Sequence, residues 1–305
     1  MLLIGADGFA GRHLRVDAVD AGLEVIGTAR TPGAAELACD LLDPASIESA
    51  LGEARPRLVA NLAGAASASE SWSDPRAAFE ANALGTLNLL EAVAGQHPQP
   101  YVLTVSSGDV YGEVAADELP ITEARGARPL SPYAASKAAM EVVCGQYARS
   151  AGLAIAIVRS FNHVGPGQSA RFAASSFARQ VAEAEARGDT AVTLRVGNLD
   201  LERDFTDVRD TVRAYRLLLE TELAGTYNVC SGKPTPVRDL IRMLDTATPL
   251  EIETIVDEGR LRPTEPAVIY GSHQRLTEAS GWTPKLPLAG AVAALLDDWR
   301  RRVGR

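Results

Sequence analysis

The first eleven residues constrain the fold of this chain more than any other stretch. Met1–Ile4 is a short apolar run, and Gly5, Gly8 and Gly11 follow it directly. A buried strand that turns tightly into a helix needs such glycines, because a Cβ would block the turn, the approach of a ligand and the packing of the helix. The unpaired N–H groups at the start of that helix favour an anion. The pattern therefore predicts a site for a dinucleotide pyrophosphate, and an ordinary glycine-rich turn is the alternative.

Short apolar runs alternate with helical patterns through the first half of the chain, which is typical of a parallel sheet covered by helices on both faces. Pro44 and Pro132 mark two helix starts, since they follow Asp43 and Ser131, which are good N-caps. The predicted strands are 2–5, 24–28, 37–39, 58–62, 101–106 and 154–159, and further helices begin near residues 8 and 74. The sequence thus predicts an α/β fold, a Rossmann-type doubly wound parallel sheet.

The pattern changes after Arg159, where proline- and glycine-rich loops separate shorter elements. The predicted helices there are 175–187, 207–222, 237–244 and 288–302, and the predicted strands are 191–196 and 225–229. This part suits a smaller α/β substrate-binding lobe at the carboxyl edge of the sheet. We expect residues 1–160 and about 204–230 to form the dinucleotide-binding domain, and residues 161–203 and 231–305 to form the lobe.

Charge and cysteine content limit the class of partner and the compartment. The net charge is −9 and the pI is about 5.1, which predicts no binding of nucleic acid. Cys39, Cys144 and Cys230 lie far apart and the four histidines form no ligand cluster, so we expect no metal site and a reduced, cytoplasmic setting. Because the first predicted strand begins at Met1 and no apolar run approaches about 18 residues, we expect neither a signal peptide nor a membrane span.

The most specific chemical motif is Tyr133-x-x-x-Lys137 at the start of a predicted helix. Its spacing places the phenol and the ammonium group on one face of the helix. A lysine there, close to an oxidised nicotinamide, favours the tyrosinate and predicts a lowered phenol pKa. Ser107 follows the predicted strand 101–106. With the glycine turn, Ser107, Tyr133 and Lys137 resemble the catalytic set of the short-chain dehydrogenase/reductase superfamily, in its extended, sugar-nucleotide branch.

The resemblance implies roles for these residues. Ser107 would hydrogen-bond the substrate carbonyl, Tyr133 would protonate its oxygen as hydride arrives, and Lys137 would tune Tyr133 and hold the nicotinamide ribose. Asp40 would face the adenine, since a helix-cap role fits Asp43 better. The full set of residues expected to bind the cofactor by this resemblance is Gly5, Asp7, Gly8, Phe9, Ala10, Gly11, Arg30, Asp40, Leu41, Leu62, Ala63, Gly64, Tyr133, Lys137, Phe161 and His163.

The end of the second predicted strand bears on the choice of cofactor. An NAD-preferring site carries an acidic residue there, which holds the ribose 2′-hydroxyl. Here Ala29 stands at that position and Arg30 follows it. A guanidinium group can bind a 2′-phosphate through two hydrogen bonds. We therefore expect NADP(H) to be preferred and NAD(H) to be possible, and a solvated Arg30 is the alternative.

The second half of the chain resembles the GDP-mannose branch of these enzymes. The matching stretches are 159–169, 196–199, 203–210, 228–232 and 261–265. By that resemblance Asn162 contacts the sugar or its phosphate, and Asn198 with its neighbours contacts the guanine. Arg203 and Arg262 would clamp the diphosphate, and Glu265 would hold the ribose. An internal ion pair with a neighbouring carboxylate is the alternative for Arg203.

Dehydratases of this branch carry Thr-Asp-Glu or Thr-Ser-Glu where this chain has Ser107-Gly108-Asp109. Elimination needs both an acid and a base, whereas reduction of a ketone needs neither of these extra groups. The resemblance thus favours NAD(P)H-dependent reduction of the C4 ketone of GDP-4-keto-6-deoxy-D-mannose to a GDP-6-deoxyhexose such as GDP-D-rhamnose. A GDP-mannose 4,6-dehydratase and another NDP-sugar epimerase or dehydratase stay open, and the intact catalytic set disfavours a non-enzymatic nucleotide sensor.

The resemblance also implies an oligomeric state. Relatives dimerise by pairing two helices of each subunit into a four-helix bundle. Here the predicted helices 76–94 and 132–150 have alanine-rich faces, which can equally pack on the sheet of their own chain. We expect a homodimer.

Overall fold

The computed structural model describes residues 1–33, 36–261 and 266–304. Its strands are β1 (Leu2–Ile4), β2 (Ile26–Ala29), β3 (Glu36–Ala38), β4 (Leu58–Asn61), β5 (Tyr101–Ser107), β6 (Ile155–Ser160), β7 (Asn162–Val164), β8 (Ala191–Val196), β9 (Glu202–Asp207), β10 (Gly225–Val229), β11 (Pro234–Pro236), β12 (Glu251–Val256) and β13 (Val268–Ile269). Its α-helices are α1 (Phe9–Asp20), α2 (Pro44–Ala54), α3 (Pro75–Phe79), α4 (Gly85–Ala94), α5 (Pro132–Ser150), α6 (Ala173–Arg187), α7 (Val208–Thr221), α8 (Val237–Asp245), α9 (Gln274–Ser280) and α10 (Leu288–Val303).

Seven strands form one parallel sheet in the order β10-β6-β5-β4-β1-β2-β3. The chain runs outward from β1 to β3 and then returns to β4 on the other side of β1, so the order reverses between β1 and β4. Ile4, Thr28 and Asn61 stand in register at or near the carboxyl ends of three neighbouring strands, beside Thr104 in the middle of β5. Ligands of such sheets bind outside this edge at the reversal point. The predicted α/β class with a doubly wound parallel sheet is confirmed.

Two apolar layers hold the helices on this sheet. Leu14 of α1, Tyr215 of α7 and Leu276 of α9 are fully buried on one face. Ile47 of α2, Leu89 of α4 and Met140 of α5 are buried on the other. Capping side chains mark the starts of α2 and α5. The Asp43 carboxylate accepts a hydrogen bond from the N–H of Ala45, and the Ser131 hydroxyl accepts one from the N–H of Ala134.

The remaining strands form two small sheets. In one, β9 pairs with β11, β13 and β7, and in the other β8 pairs with β12. Helices α6, α8 and α10 pack on them around a separate apolar core that contains Phe177, Leu240 and Leu295. β10 belongs to the large sheet through its pairing with β6, while the exact division into two domains stays a prediction. None of the described helices is both long and apolar enough to cross a bilayer.

The structure differs from the sequence-based prediction in two helices and several strands, and α9 is the helix that was not predicted. The helix predicted over 76–94 is divided, because residues Glu80–Leu84 form a π-helical turn between α3 and α4. The strands β7, β9, β11, β12 and β13 were not predicted. Most of them are short or largely exposed, β9 consists mainly of polar residues, and all lack the alternating or continuous apolar pattern that marks a buried strand.

Candidate active site

The turn between β1 and α1 is shaped by close contacts. Gly5 has a φ of +80°, and a Cβ on Gly11 would lie 2.0 Å from the Gly5 carbonyl oxygen. Within the described residues no side chain caps α1 at Gly8, and the first helical turn carries no acid. The N–H groups at the start of α1 and the positive end of its helix dipole therefore face the carboxyl edge of the sheet. No side chain of this described turn offsets their positive charge, which suits the binding of a pyrophosphate. Asp7 is exposed in this turn, and Phe9 and Ala10 are half-buried.

The ends of β2 and β3 lie beside this turn in the sheet. Ala29 is buried, whereas Arg30 is exposed and forms no ion pair with any of the described carboxylates. Asp40 follows β3, where its carboxylate accepts from the N–H of Leu42 at 2.9 Å and so closes a local turn. Asp43 caps α2, as the sequence indicates, and Leu41 is buried in the core.

The carboxyl end of β4 continues this edge. Asn61 is buried, and its side-chain oxygen accepts from the N–H of Ala63 at 3.2 Å, which folds the chain over at Leu62. Gly64 has a φ of +140°, and a Cβ there would lie 2.3 Å from Asn82 Oδ1 and 3.6 Å from Lys137 Nζ. The stretch from Leu62 to Gly64 therefore passes directly over the lysine of the catalytic motif.

Ser107, Tyr133 and Lys137 are brought together at the same edge. Ser107 ends β5 and its hydroxyl accepts from the N–H of Asp109 at 3.1 Å. Tyr133 and Lys137 lie in the first two turns of α5, where both are buried. The Tyr133 phenol lies close enough to Ser107 for the serine hydroxyl to lower its pKa. Lys137 Nζ donates to the carbonyl oxygen of Val105 at 2.7 Å.

The surroundings of Tyr133 within the chain alone raise its pKa. Burial raises it, the negative charge of Asp109 raises it further, and the hydrogen bond to Ser107 opposes them. The predicted lowering depends on Lys137 together with an oxidised nicotinamide and stays a prediction, while the Lys137 ammonium group donates to the Val105 carbonyl. The phenol is consequently protonated at neutral pH, which is the state that a proton donor needs.

Burial lowers the pKa of Lys137 to about 8, although Cys144 and Glu141 oppose the shift. Glu141 is already engaged, since Arg159 binds both of its carboxylate oxygens and Ser106 donates to it at 2.6 Å. Lys137 therefore remains mostly charged at pH 7, close to its titration point.

Two buried polar residues at this site were missed by the sequence analysis. Asn82, in the π-helical turn, donates to Ser136 Oγ at 2.8 Å, and its side-chain oxygen has no hydrogen-bond partner among the described residues. Ser71 accepts from the main-chain N–H of Tyr133 at 3.0 Å. π-helical turns often occur at functional sites, but no local sequence signal marks this one.

Phe161 and His163 follow β6 at the edge of the site. The Phe161 ring is buried in a small core with Tyr111, Ile121 and Cys230, so only its backbone is available to a ligand. His163 is half-buried, with its ring stacked on Phe9 at 5.5 Å between centroids, beside the glycine turn. Burial lowers the pKa of His163, so its imidazole is neutral at pH 7.

The residues expected to bind the nucleotide sugar are only partly described. Asn162 is exposed and donates to the Asp204 carbonyl at 3.2 Å. Asn198 is exposed in the loop after β8, and its side chain accepts from the N–H of Asp200. Arg203, in β9, is half-buried and donates to the carbonyl oxygens of Glu202 and Ala267. Arg262 and Glu265 lie outside the described residues.

Gly108 and Asp109 follow Ser107 and distinguish the possible reactions. A Cβ on Gly108 would lie 3.1 Å from the Phe161 ring, so this position is crowded. Asp109 is exposed and is engaged in an interaction. The described residues include no cluster of three or more histidine, cysteine or acidic side chains that could hold a metal ion.

Three features define the class of this protein: a doubly wound sheet, an uncapped helix behind a glycine turn, and a buried Ser-Tyr-Lys set. They are the features of the NAD(P)-dependent short-chain dehydrogenases/reductases. The family profile described as GDP-mannose 4,6 dehydratase matches residues 2–295. The chain belongs to this family.

Known proteins provide closer comparisons. The GDP-6-deoxy-D-mannose reductase of Pseudomonas aeruginosa is 39% identical over 310 residues, which cover 99% of this chain and 98% of that protein. A solved structure of RMD from Pseudomonas aeruginosa complexed with NADPH has a TM-score of 0.89 at 38% identity and covers 99% of both chains. The Thermus thermophilus UDP-glucose 4-epimerase, solved as a complex with NAD, has a TM-score of 0.85 at 33% identity and covers 98% of both chains.

The lowered pKa of Lys137 predicts a pH-dependent stability. Because the pKa falls from its usual 10.5 to about 8, the unfolded chain binds the proton between these values and the folded protein does not. The free energy of unfolding of the wild type should therefore rise with pH across this window relative to that of Lys137→Met, by up to about 3 kcal/mol. Urea unfolding at several pH values measures this difference. The exposed Lys285→Met is the control, and its difference from the wild type should stay constant.

Proposed function

We propose that this protein reduces the C4 ketone of GDP-4-keto-6-deoxy-D-mannose with NADPH and forms a GDP-6-deoxyhexose, GDP-D-rhamnose. One observation carries the proposal: a protonated, buried Tyr133 contacts Ser107 at the cofactor edge, and no acidic side chain stands at residue 108. The site has a proton donor for a ketone and lacks the acid that elimination needs beside it. The similarity to a GDP-6-deoxy-D-mannose reductase over nearly the full chain supports the same substrate.

Three residues would perform the proton chemistry. The Ser107 hydroxyl and the Tyr133 phenol both donate to the C4 oxygen, which polarises the carbonyl group. NADPH supplies the hydride when it is bound. Tyr133 then releases its proton to the developing alkoxide, and the charged Lys137 stabilises the tyrosinate that remains. The buried Asn82 side-chain oxygen faces this region and would hold a water or the lysine ammonium group in place.

The cofactor-binding roles follow the edge of the sheet. The start of α1 would bind the pyrophosphate with Gly5, Asp7, Gly8, Phe9, Ala10 and Gly11. Asp40 and Leu41 would contact the adenine. Leu62, Ala63 and Gly64, with Phe161 and His163, would border the nicotinamide and its ribose. Arg30 would bind the 2′-phosphate, since its guanidinium group is exposed and forms no ion pair with the described carboxylates. NADP(H) is then preferred, and NAD(H) is possible because no acid is needed to admit it.

The second lobe, residues 161–203 and 231–305, would bind the nucleotide sugar, with Asn162 at the sugar, Asn198 at the guanine and Arg203 at the diphosphate. Arg203 supports this role because two carbonyl oxygens hold its guanidinium group in place. Arg262 and Glu265 complete the proposed set by the family resemblance alone.

Replacement of the proton donor tests the reaction. Tyr133→Phe should lower the rate of NADPH oxidation by GDP-4-keto-6-deoxy-D-mannose by about 100-fold or more, since the alkoxide loses its proton source. The measurement is absorbance at 340 nm. Tyr147→Phe, on the same helix but outside the site, should match the wild type.

The same assay separates the alternatives. GDP-mannose alone should be left unchanged by the enzyme. Its conversion to the keto sugar, without net loss of NADPH, would favour the dehydratase and would assign Asp109 the role of a base. NMR of the reduced product identifies the C4 configuration, where GDP-6-deoxy-D-talose is the other epimer.

Arg30 tests the cofactor preference. Arg30→Ala should raise the KM for NADPH about tenfold and leave the KM for NADH unchanged, because only NADPH carries the 2′-phosphate. Steady-state kinetics with each cofactor measures both values. Arg149→Ala, an exposed arginine on α5, is the matched control and should change neither. An equal effect on both cofactors would show that Arg30 does not bind the 2′-phosphate.

We also propose a cytoplasmic homodimer. The three cysteines are free and buried, which suits a reducing compartment. Val142 of α5 is 71% exposed, and Phe79 and Leu84, on the helical segments that pack on α5, are 41% and 45% exposed. Large apolar side chains on adjacent helices favour burial against a second copy, which would form a four-helix bundle.

A charge at this surface tests the dimer. Val142→Glu should shift the protein from dimer to monomer in sedimentation velocity, because a carboxylate would lose its hydration at the interface. Val16→Glu, on the opposite face of the sheet and 61% exposed, should remain a dimer. A wild-type protein that sediments as a monomer would contradict the proposal.

A further inference from the structure

The first turn of α5 carries the proton donor, and one of its N–H groups has an unusual partner. The first N–H groups of a helix have no acceptor within the helix. Pro132 has no N–H, and the Ser131 hydroxyl accepts from Ala134 at 3.1 Å. The N–H of Tyr133 is left, and it donates to Ser71 Oγ at 3.0 Å. The catalytic residue is thus tied by its own backbone to a loop more than sixty positions earlier in the chain.

Ser71 is built to serve as this acceptor. It is 3% exposed, so water cannot readily replace its hydroxyl. Its own proton is donated to the Ala68 carbonyl at 2.7 Å, which directs its lone pairs toward Tyr133. The N–H of Ser71 donates to the Ser67 carbonyl at 3.2 Å, and Ser67 Oγ accepts from the N–H of Glu70 at 3.2 Å. These bonds fix the short turn Glu70–Trp72 on which Ser71 lies.

The same loop begins at the cofactor edge. It leaves β4 through Leu62, Ala63 and Gly64, which pass over Lys137. Ser71 therefore connects the loop that borders the proposed nicotinamide site to the backbone of the residue that donates the proton. A shift of the first turn of α5 would move the phenol relative to both Ser107 and the cofactor. Misplacement of a reacting group by about 1 Å can cost a factor of about 100 in rate.

We propose that Ser71 is a positioning residue for Tyr133: its hydroxyl holds the first turn of α5 so that the phenol stands at hydrogen-bond distance from Ser107 and from the substrate carbonyl. This inference rests on the proposed reductase function. It assigns no chemical step to Ser71, which does not contact the reacting atoms.

Ser71→Ala should lower kcat by about 10- to 100-fold and change the KM for the keto sugar and for NADPH by less than about twofold. Ser71→Thr retains the hydroxyl and should recover most of kcat. Ser73→Ala is the matched control, because Ser73 lies beside the same turn, donates only to the Glu70 carbonyl oxygen at 2.7 Å and is exposed. It should match the wild type.

A double variant separates positioning from general destabilisation. If Ser71 acts through the phenol, Ser71→Ala should cause no further loss of rate in the Tyr133→Phe background. An equal loss in both backgrounds would overturn the proposal, and so would a kcat of Ser71→Ala equal to that of Ser73→Ala. Failure of Ser71→Thr to recover kcat, at a wild-type melting temperature, would also contradict it.

Hydrogen exchange tests the contact without activity. Exchange at the Tyr133 amide should be at least about tenfold faster in Ser71→Ala than in the wild type, and unchanged in Ser73→Ala. A wild-type protein that does not oxidise NADPH with the keto sugar would refute the proposed function, and this exchange rate would then decide alone whether Ser71 holds α5. Unchanged exchange would overturn the inference.

Discussion

The structure depends on the close approach of α1 to the turn after β1. Any side chain at residue 11 would place its Cβ 2.0 Å from the Gly5 carbonyl oxygen, and a Cβ on Gly5 would lie 2.9 Å from the Ala63 nitrogen. Three segments of the chain are therefore in backbone contact: the turn, the first helix and the stretch after β4. This contact directs the uncapped start of α1 to the carboxyl edge and places the stretch after β4 beside it. The start of α1 and the stretch after β4 together determine the expected positions of the pyrophosphate and the nicotinamide.

The sequence predicted the elements whose signals are local. Pro44 after Asp43 and Pro132 after Ser131 define helix starts through caps that the structure contains. The buried parallel strands were predictable because they are continuous apolar runs between glycines and polar turns. The π-helical turn Glu80–Leu84 was not predictable, since its residues suit an α-helix. The hydrogen bond from Asn82 to Ser136 also joins positions 54 residues apart in the chain. The strands of the small sheets pair with partners that only the tertiary fold brings near.

The candidate site divides in the same way. The positions of Ser107, Tyr133 and Lys137 were predictable from local sequence signals. These signals mark the end of the strand before the serine and the start of the helix that carries the other two residues. The raised pKa of Tyr133 within the chain alone was not predicted, because spacing reveals a neighbouring charge but not the depth of burial or the direction of the ammonium group. Here burial dominates, and Asp109 adds to it. For reduction this is the useful direction: the phenol arrives protonated, and only the tyrosinate formed in the reaction needs the lysine.

The identity of residue 108 joins packing to chemistry. The Phe161 ring lies 3.1 Å from the Cβ that any other residue would carry there, and a Cβ on Gly271 would lie 2.6 Å from the same ring. The ring is thus held between two glycines in a core that also contains Tyr111 and Cys230. An acidic side chain at residue 108, which the resemblance implies for the dehydratases with Thr-Asp-Glu, would require this ring to move by a few tenths of an ångström. An acid at this position would therefore need a shift of the Phe161 ring as well as a substitution at residue 108. The proposed preference for carbonyl reduction over elimination would then depend on this small core as much as on the proposed catalytic residues.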